Sequence, residues 1–238
     1  MKIPYGIADF GKIRRTGCFY VDKTTLLPTI ERADLSHVVF LRPRRMGKSS
    51  FVSMMAHYYD ITKADQFDEL FRGLWVHEHP TPEKNAHIVL HLNLGSVRGT
   101  NEGDVREAFA REVRSTCLLV TSEYAKLHAE FAALVPKMAA RTEPLDMIYD
   151  LMNAARSIHQ RLYIMIDEYD TFANSLISAG SRDVYESLTE HTGFMRQLYS
   201  ALKAGSEMGG RSRIFITGVS PILRDDWYTG RNIATNIT

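Results

Sequence analysis

At 238 residues the chain can bury a full core, and 45% hydrophobic against 24% charged residues excludes a disordered polymer. A formal charge of +1 excludes bulk attraction to nucleic acid or acidic membranes, so any such contact needs a local patch. The two cysteines, Cys18 and Cys117, are far apart without CxxC spacing, which argues against a disulfide framework or a cysteine-rich zinc site and suits a reducing compartment.

The first fifteen residues, MKIPYGIADFGKIRR, place a proline and charges where a secretion signal needs an apolar centre. No run of about 18 apolar residues follows, and the expectation is a soluble cytoplasmic protein without membrane contact. Residues 1–36 read as a strap leading into a core of 37–238. HVVFLR at 37–42 is the first of four short apolar runs, the others being HIVLHLNL at 87–94, RLYIMIDEYD at 161–170 and RIFITGVS at 213–220. Runs this short, apolar on both faces, suit strands covered by helices on either side.

Between the runs the spacing turns helical. KSSFVSMMAHYYD after the first run can set Phe51, Met54, Met55 and Tyr58 on one face. VHEHPTPEKNAH at 76–87 reads as a loop, and its His77, His79 and His87, with His91 beyond, lack an acidic or cysteine partner at metal spacing, so no metal is assigned to them. Amphipathic helices are predicted over 101–120, 144–160 and 183–205, the last stopping at Gly205. Alternating strands and helices predict right-handed crossovers, a mostly parallel sheet and one principal core.

The turn after the first run, RPRRMGKSS, stands between a strand and a helix, where backbone N–H groups and a helix dipole favour phosphate. In the pattern GxxxxGK[ST], Gly47 permits close approach, Lys48 reaches the β and γ phosphates and Ser49 helps to hold magnesium. Arg42 replaces the first glycine, and Pro43 drives it toward an extended conformation. The loop assigned to nucleotide is Arg44, Arg45, Met46, Gly47, Lys48, Ser49 and Ser50.

GKS alone is weak, since an ordinary helix start can carry it. A second element is IMIDE at 164–168, where Asp167 would hold magnesium and Glu168 would polarise the attacking water. Alternation along the strand would let the two acids face different partners. Thr217, at the end of the fourth run, is placed to sense the γ-phosphate. Arg44 and Arg45 have two readings, contact with phosphate in their own or a neighbouring protomer, or pairing with surface acids or capping of the loop. Arg224 and Arg231 are weaker candidates for an arginine finger.

IPYGIADF at 3–10, FYVDKTTLL at 19–27, FLRPRRMGKSS at 40–50, MIDEYD at 165–170, FITGVSPI at 215–222 and GRNIATNIT at 230–238 together resemble the AAA-ATPase-like domain family. Its members often carry a C-terminal PD-(D/E)xK nuclease-like domain. The resemblance makes Arg42 a family variant and implies an α/β three-layer P-loop NTPase of the additional-strand class, with sheet order 5-1-4-3-2. It also implies ATP and Mg2+, the catalytic set Glu168, Lys48 and Thr217, the metal ligands Ser49 and Asp167, and a base-covering role for Asp22 and Lys23. Because the chain stops at Thr238, the last strand and lid are expected to be lacking. EYAK at 123–126 lies in a helical stretch and makes no nuclease motif.

The leading reading is an ATP-hydrolysing switch or motor for an attached or partner module, with a homo-oligomer as a possible assembly. The alternatives are a non-hydrolysing nucleotide-binding module, a P-loop kinase, and a nucleic-acid-associated regulatory domain. The last is suggested by the family's nuclease-like partner and by Arg211, Arg213, Arg224 and Arg231.

Overall fold

The computed structural model describes residues 1–32, 37–171, 212–219 and 235–236. The predicted helix over 183–205 with Gly205, and Arg211, Arg224 and Arg231, lie outside the described residues. Among the described residues no helix is long and apolar enough to cross a membrane.

The N-terminal segment is more than a strap. Asp9 caps α1 (Phe10–Arg15) by accepting from the Lys12 N–H, and α2 (Leu27–Arg32) follows a short 3-10 turn. β1 (His37–Leu41) then leads through the glycine-lysine turn into α3 (Lys48–Tyr59). The Phe10 N–H donates to Ser53 Oγ of α3 at 2.9 Å, and Phe10, Leu27 and Ile30 are buried against that helix's apolar residues. Arg14 fixes the segment further, donating at 2.6 Å to the carbonyls of Leu70 and Arg72 beside α4 (Phe67–Phe71).

The stretch read as a loop at 76–87 opens inside a one-turn helix, α5 (Trp75–Glu78), before turning into β2 (His87–Asn93). α6 (Glu102–Tyr124) starts at Asn101, whose side chain accepts from the Asp104 N–H. The EYAK tetrapeptide straddles its C-terminal end. α7 (Ala129–Ala140) tolerates an internal Pro136 and packs between α6 and α8 (Pro144–Ser157), which has proline in its first turn. β3 (Arg161–Asp167), β4 (Arg213–Gly218) and β5 (Thr235–Asn236) complete the sheet.

Every strand pair is parallel and the order is β5-β1-β4-β3-β2, the order the resemblance implies. β1 and β4 are adjacent though far apart in sequence, so the turn after β1 opens beside the C-terminal ends of β4 and β3. Ligands of open parallel sheets bind at such a point. The expected lack of a last strand is corrected: Thr235 and Asn236 pair with Val38 and Val39 along the outer edge of β1. Two residues carry no periodicity, and for that reason the sequence did not announce them.

The single expected core divides in two, because a sheet covered on both faces buries two sets of alternating side chains. One face gathers Val38, Phe40, Tyr163, Met165 and Phe215 under α3. The other gathers Ile88, Leu90, Ile164, Ile214 and Ile216 under α6 and α8. At the N-terminal ends of the strands, Glu83 ties three of them together, meeting His87 at 2.6 Å, Arg161 at 2.9 Å and Arg213 at 3.3 Å. Arg213 also donates to the carbonyls of Ile30 and Glu31, so its guanidinium serves this junction.

Candidate functional site

The turn after β1 is anchored before it bends. The Arg42 N–H donates to the Gly218 carbonyl at 3.1 Å, extending the β1–β4 ladder by one residue. Positive φ falls at Arg45 (66°) and Gly47 (75°), not at Arg42, so the position that lacks the first glycine needs none. The Arg42 guanidinium lies 5.2 Å from the Phe40 ring centroid. Gly47 is the N-cap of α3 and offers no side-chain acceptor, leaving the first-turn N–H groups without a side-chain cap.

Lys48 is almost fully buried, and its Nζ donates to the Arg42 carbonyl at 2.9 Å and the Pro43 carbonyl at 3.2 Å. Ser50 Oγ donates to the Gly47 carbonyl at 3.0 Å. Lys23 arrives from the N-terminal segment: its Nζ donates to the Met46 carbonyl at 3.0 Å, and a Cβ on Gly47 would stand 2.7 Å from it.

Across the strand tips, Asp167 is fully buried at the end of β3. Its Oδ1 accepts from the Thr217 hydroxyl and, at 3.0 Å, from the Glu168 N–H, while Oδ2 is buried without a partner among the described residues. An orphaned carboxylate oxygen is the kind of group that a cation or a metal-bound water satisfies. Glu168 leaves the strand with φ of 55°, so a left-handed backbone turn, and not simple alternation, separates the two acids. Its Oε2 accepts from Thr171 Oγ1 at 3.2 Å and would lie 2.4 Å from a Cβ on Gly95.

One cavity of about 1180 Å³ brings the parts together. Arg44, Arg45, Met46, Gly47, Lys48, Ser49 and Ser50 line it, as does Glu168. Asp167 and Thr217 are not among its lining residues: both are fully buried, and the Thr217 hydroxyl donates to Asp167. Asp22 is an anchor, accepting from the Thr24 N–H and O–H and, at 2.7 Å, from the Trp75 N–H.

The histidines disperse. His77 meets Asp68 at 3.2 Å, His79 stacks on Trp75 and His87 meets Glu83. His91 is held below its ordinary pKa by burial, opposed by the charge of Asp167. Among the described residues, no three His, Cys, Asp or Glu side chains gather as a metal cluster.

Residues 4–228 match a family model described as Predicted AAA-ATPase. The chain belongs to that family. A relative in Azotobacter chroococcum mcd 1, named "Uncharacterized protein in vnfD 5'region", is 30% identical over 241 residues, covering 100% of this chain and 41% of its own length. The chain therefore spans about two fifths of that relative. No solved structure matches it.

In this predicted AAA-ATPase, motif reading missed part of the wall. Arg98 follows β2, Asp170 accepts from the Val219 N–H at 2.9 Å, and both line the cavity. So do Ile3, Tyr5, Phe19 and Val21, apolar side chains left exposed on the N-terminal segment. These four fall in IPYGIADF and FYVDKTTLL, stretches that carry the family resemblance, and that is the signal in the sequence that could have found them.

Proposed function

We propose that this domain binds ATP and hydrolyses it with Mg2+, acting as a switch or motor for an attached or partner module, a nuclease-like one included. The observation that carries this reading is the single cavity whose wall the Lys48 loop and Glu168 both line. Lys23, Arg44, Arg45, Lys48 and Arg98 outnumber Glu168 and Asp170 on that wall, a balance suited to a polyanion.

Ser49 and the unpartnered oxygen of Asp167 would hold the metal, with Thr217 aiming the carboxylate. A Mg2+ held there would supply positive charge to offset the charge that develops on the transferred phosphoryl group. Lys48, now docked on two neutral carbonyls, turns to phosphate oxygens, and Glu168 orients and polarises water. The exposed apolar side chains of the N-terminal segment offer the base a surface. Arg44 and Arg45, exposed on the loop, can also reach the nucleotide of a neighbouring copy in a homo-oligomer.

A second reading, nucleotide binding without turnover, draws on the Glu168 carboxylate being held by Thr171. Multiple-turnover phosphate release separates the two. Hydrolysis predicts steady release from the parent chain and at least a hundredfold loss in Glu168→Gln; binding without release from either supports the module.

A further inference from the structure

We propose that Lys23 is a second phosphate-binding cation of the loop, reaching it from the N-terminal segment to grip a polyphosphate beside Lys48. This rests on the reading of the loop as a nucleoside triphosphate site.

The lysine is delivered to a fixed place. Asp22, its neighbour, is pinned by Thr24 and by the Trp75 N–H, so the backbone before and after Lys23 cannot drift. Its ammonium then lands on the Met46 carbonyl, in space that exists because residue 47 has no side chain. An ammonium has three N–H donors, and one carbonyl uses one of them and cancels none of the charge. Among the described residues no carboxylate lies within ion-pair distance of Lys23.

The same wall carries Arg44, Arg45 and Lys48. Burial, with the Arg42 charge adding to it, holds the Lys23 pKa below its ordinary value. A phosphate oxygen supplies the missing counter-charge and the missing acceptors together. A group that only covered a base would not need to rest on the carbonyl that precedes Gly47 in the phosphate loop.

The test is calorimetric titration of Mg-ATP, and separately of Mg-tripolyphosphate, into the parent chain and into Lys23→Ala, Lys23→Gln, Lys23→Arg and Lys48→Ala. Tripolyphosphate has no base. Lys23→Ala and Lys23→Gln are expected to weaken both ligands at least tenfold and Lys23→Arg to restore most of the loss, with ligand-free melting temperatures within about 2 °C of the parent.

Glutamine keeps a donor for Met46 without the charge, so parental affinity in Lys23→Gln would reduce the residue to a latch and overturn the proposal. Loss for Mg-ATP with tripolyphosphate unchanged would assign it to the base and also overturn it. If Lys48→Ala loses binding while no Lys23 variant does, the proposal falls and the site reading stands. If the parent chain binds neither ligand, both fall.

Discussion

The hydroxyl of Thr217 on β4 donates to one carboxylate oxygen of Asp167 at the end of β3, and the other oxygen is left buried and unpartnered among the described residues. One strand thus aims a functional group carried by its neighbour. Thr217→Val keeps the β-branched shape and removes the donor. It should cost about 1–3 kcal/mol in chemical denaturation, the range for an unsatisfied buried group. It should also raise the Mg2+ concentration needed for half-maximal turnover; an unchanged requirement would argue that Thr217 does not orient Asp167.

Gly95 makes room for the Glu168 carboxylate, which would stand 2.4 Å from a Cβ there. The glycine's φ is not positive, so alanine introduces crowding without backbone strain. Gly95→Ala should lower the maximal rate about tenfold to a hundredfold by displacing the acid, since about 1 Å of misplacement has effects of that order. Nucleotide affinity should change less than threefold. A parallel loss of affinity in titration would show that the loop, and not Glu168, had moved.

Glu83 sits at the opposite end of the sheet, where it governs stability. Its hydrogen bond from His87, together with Arg213 and Arg161, pulls its pKa from the ordinary 4.5 to about 2 against the opposing effect of burial. A depressed carboxyl stabilises the fold above its unfolded value and loses that contribution as pH falls through the folded one. Glu83→Gln should therefore be less stable than the parent by about 1–3 kcal/mol at pH 7. The gap should close between about pH 4.5 and 2. Urea denaturation across that range checks it, and a gap that persists at pH 2 would assign the loss to packing.

The four longer strands were legible because an apolar run bounded by charge has few other uses, and the sheet order followed once the glycine-lysine turn and the acidic strand end were matched to a known family. The relation between Asp167 and Glu168 was not, because it depends on a left-handed φ at Glu168 that no side-chain pattern encodes. Lys23 was singled out only for covering the base, and its place against the phosphate loop escaped for a different reason. Its contact with the loop spans 23 residues and is set by how the N-terminal segment docks, through Phe10, Arg14 and Asp22, onto α3, α4 and α5. α7 was hidden by Pro136, which reads as a helix breaker, and the one-turn α5 was too short for periodicity to register.

On the proposed function, the loop around Lys48 would hold the phosphates of a magnesium-bound nucleotide. Titrating Mg-ATP and Mg-GTP calorimetrically into the parent chain and Lys48→Ala tests it most directly. The parent should bind, with ATP preferred, and the variant should bind at least tenfold more weakly, about 1.4 kcal/mol or more. Equal heats and equal affinities in the two proteins would contradict it.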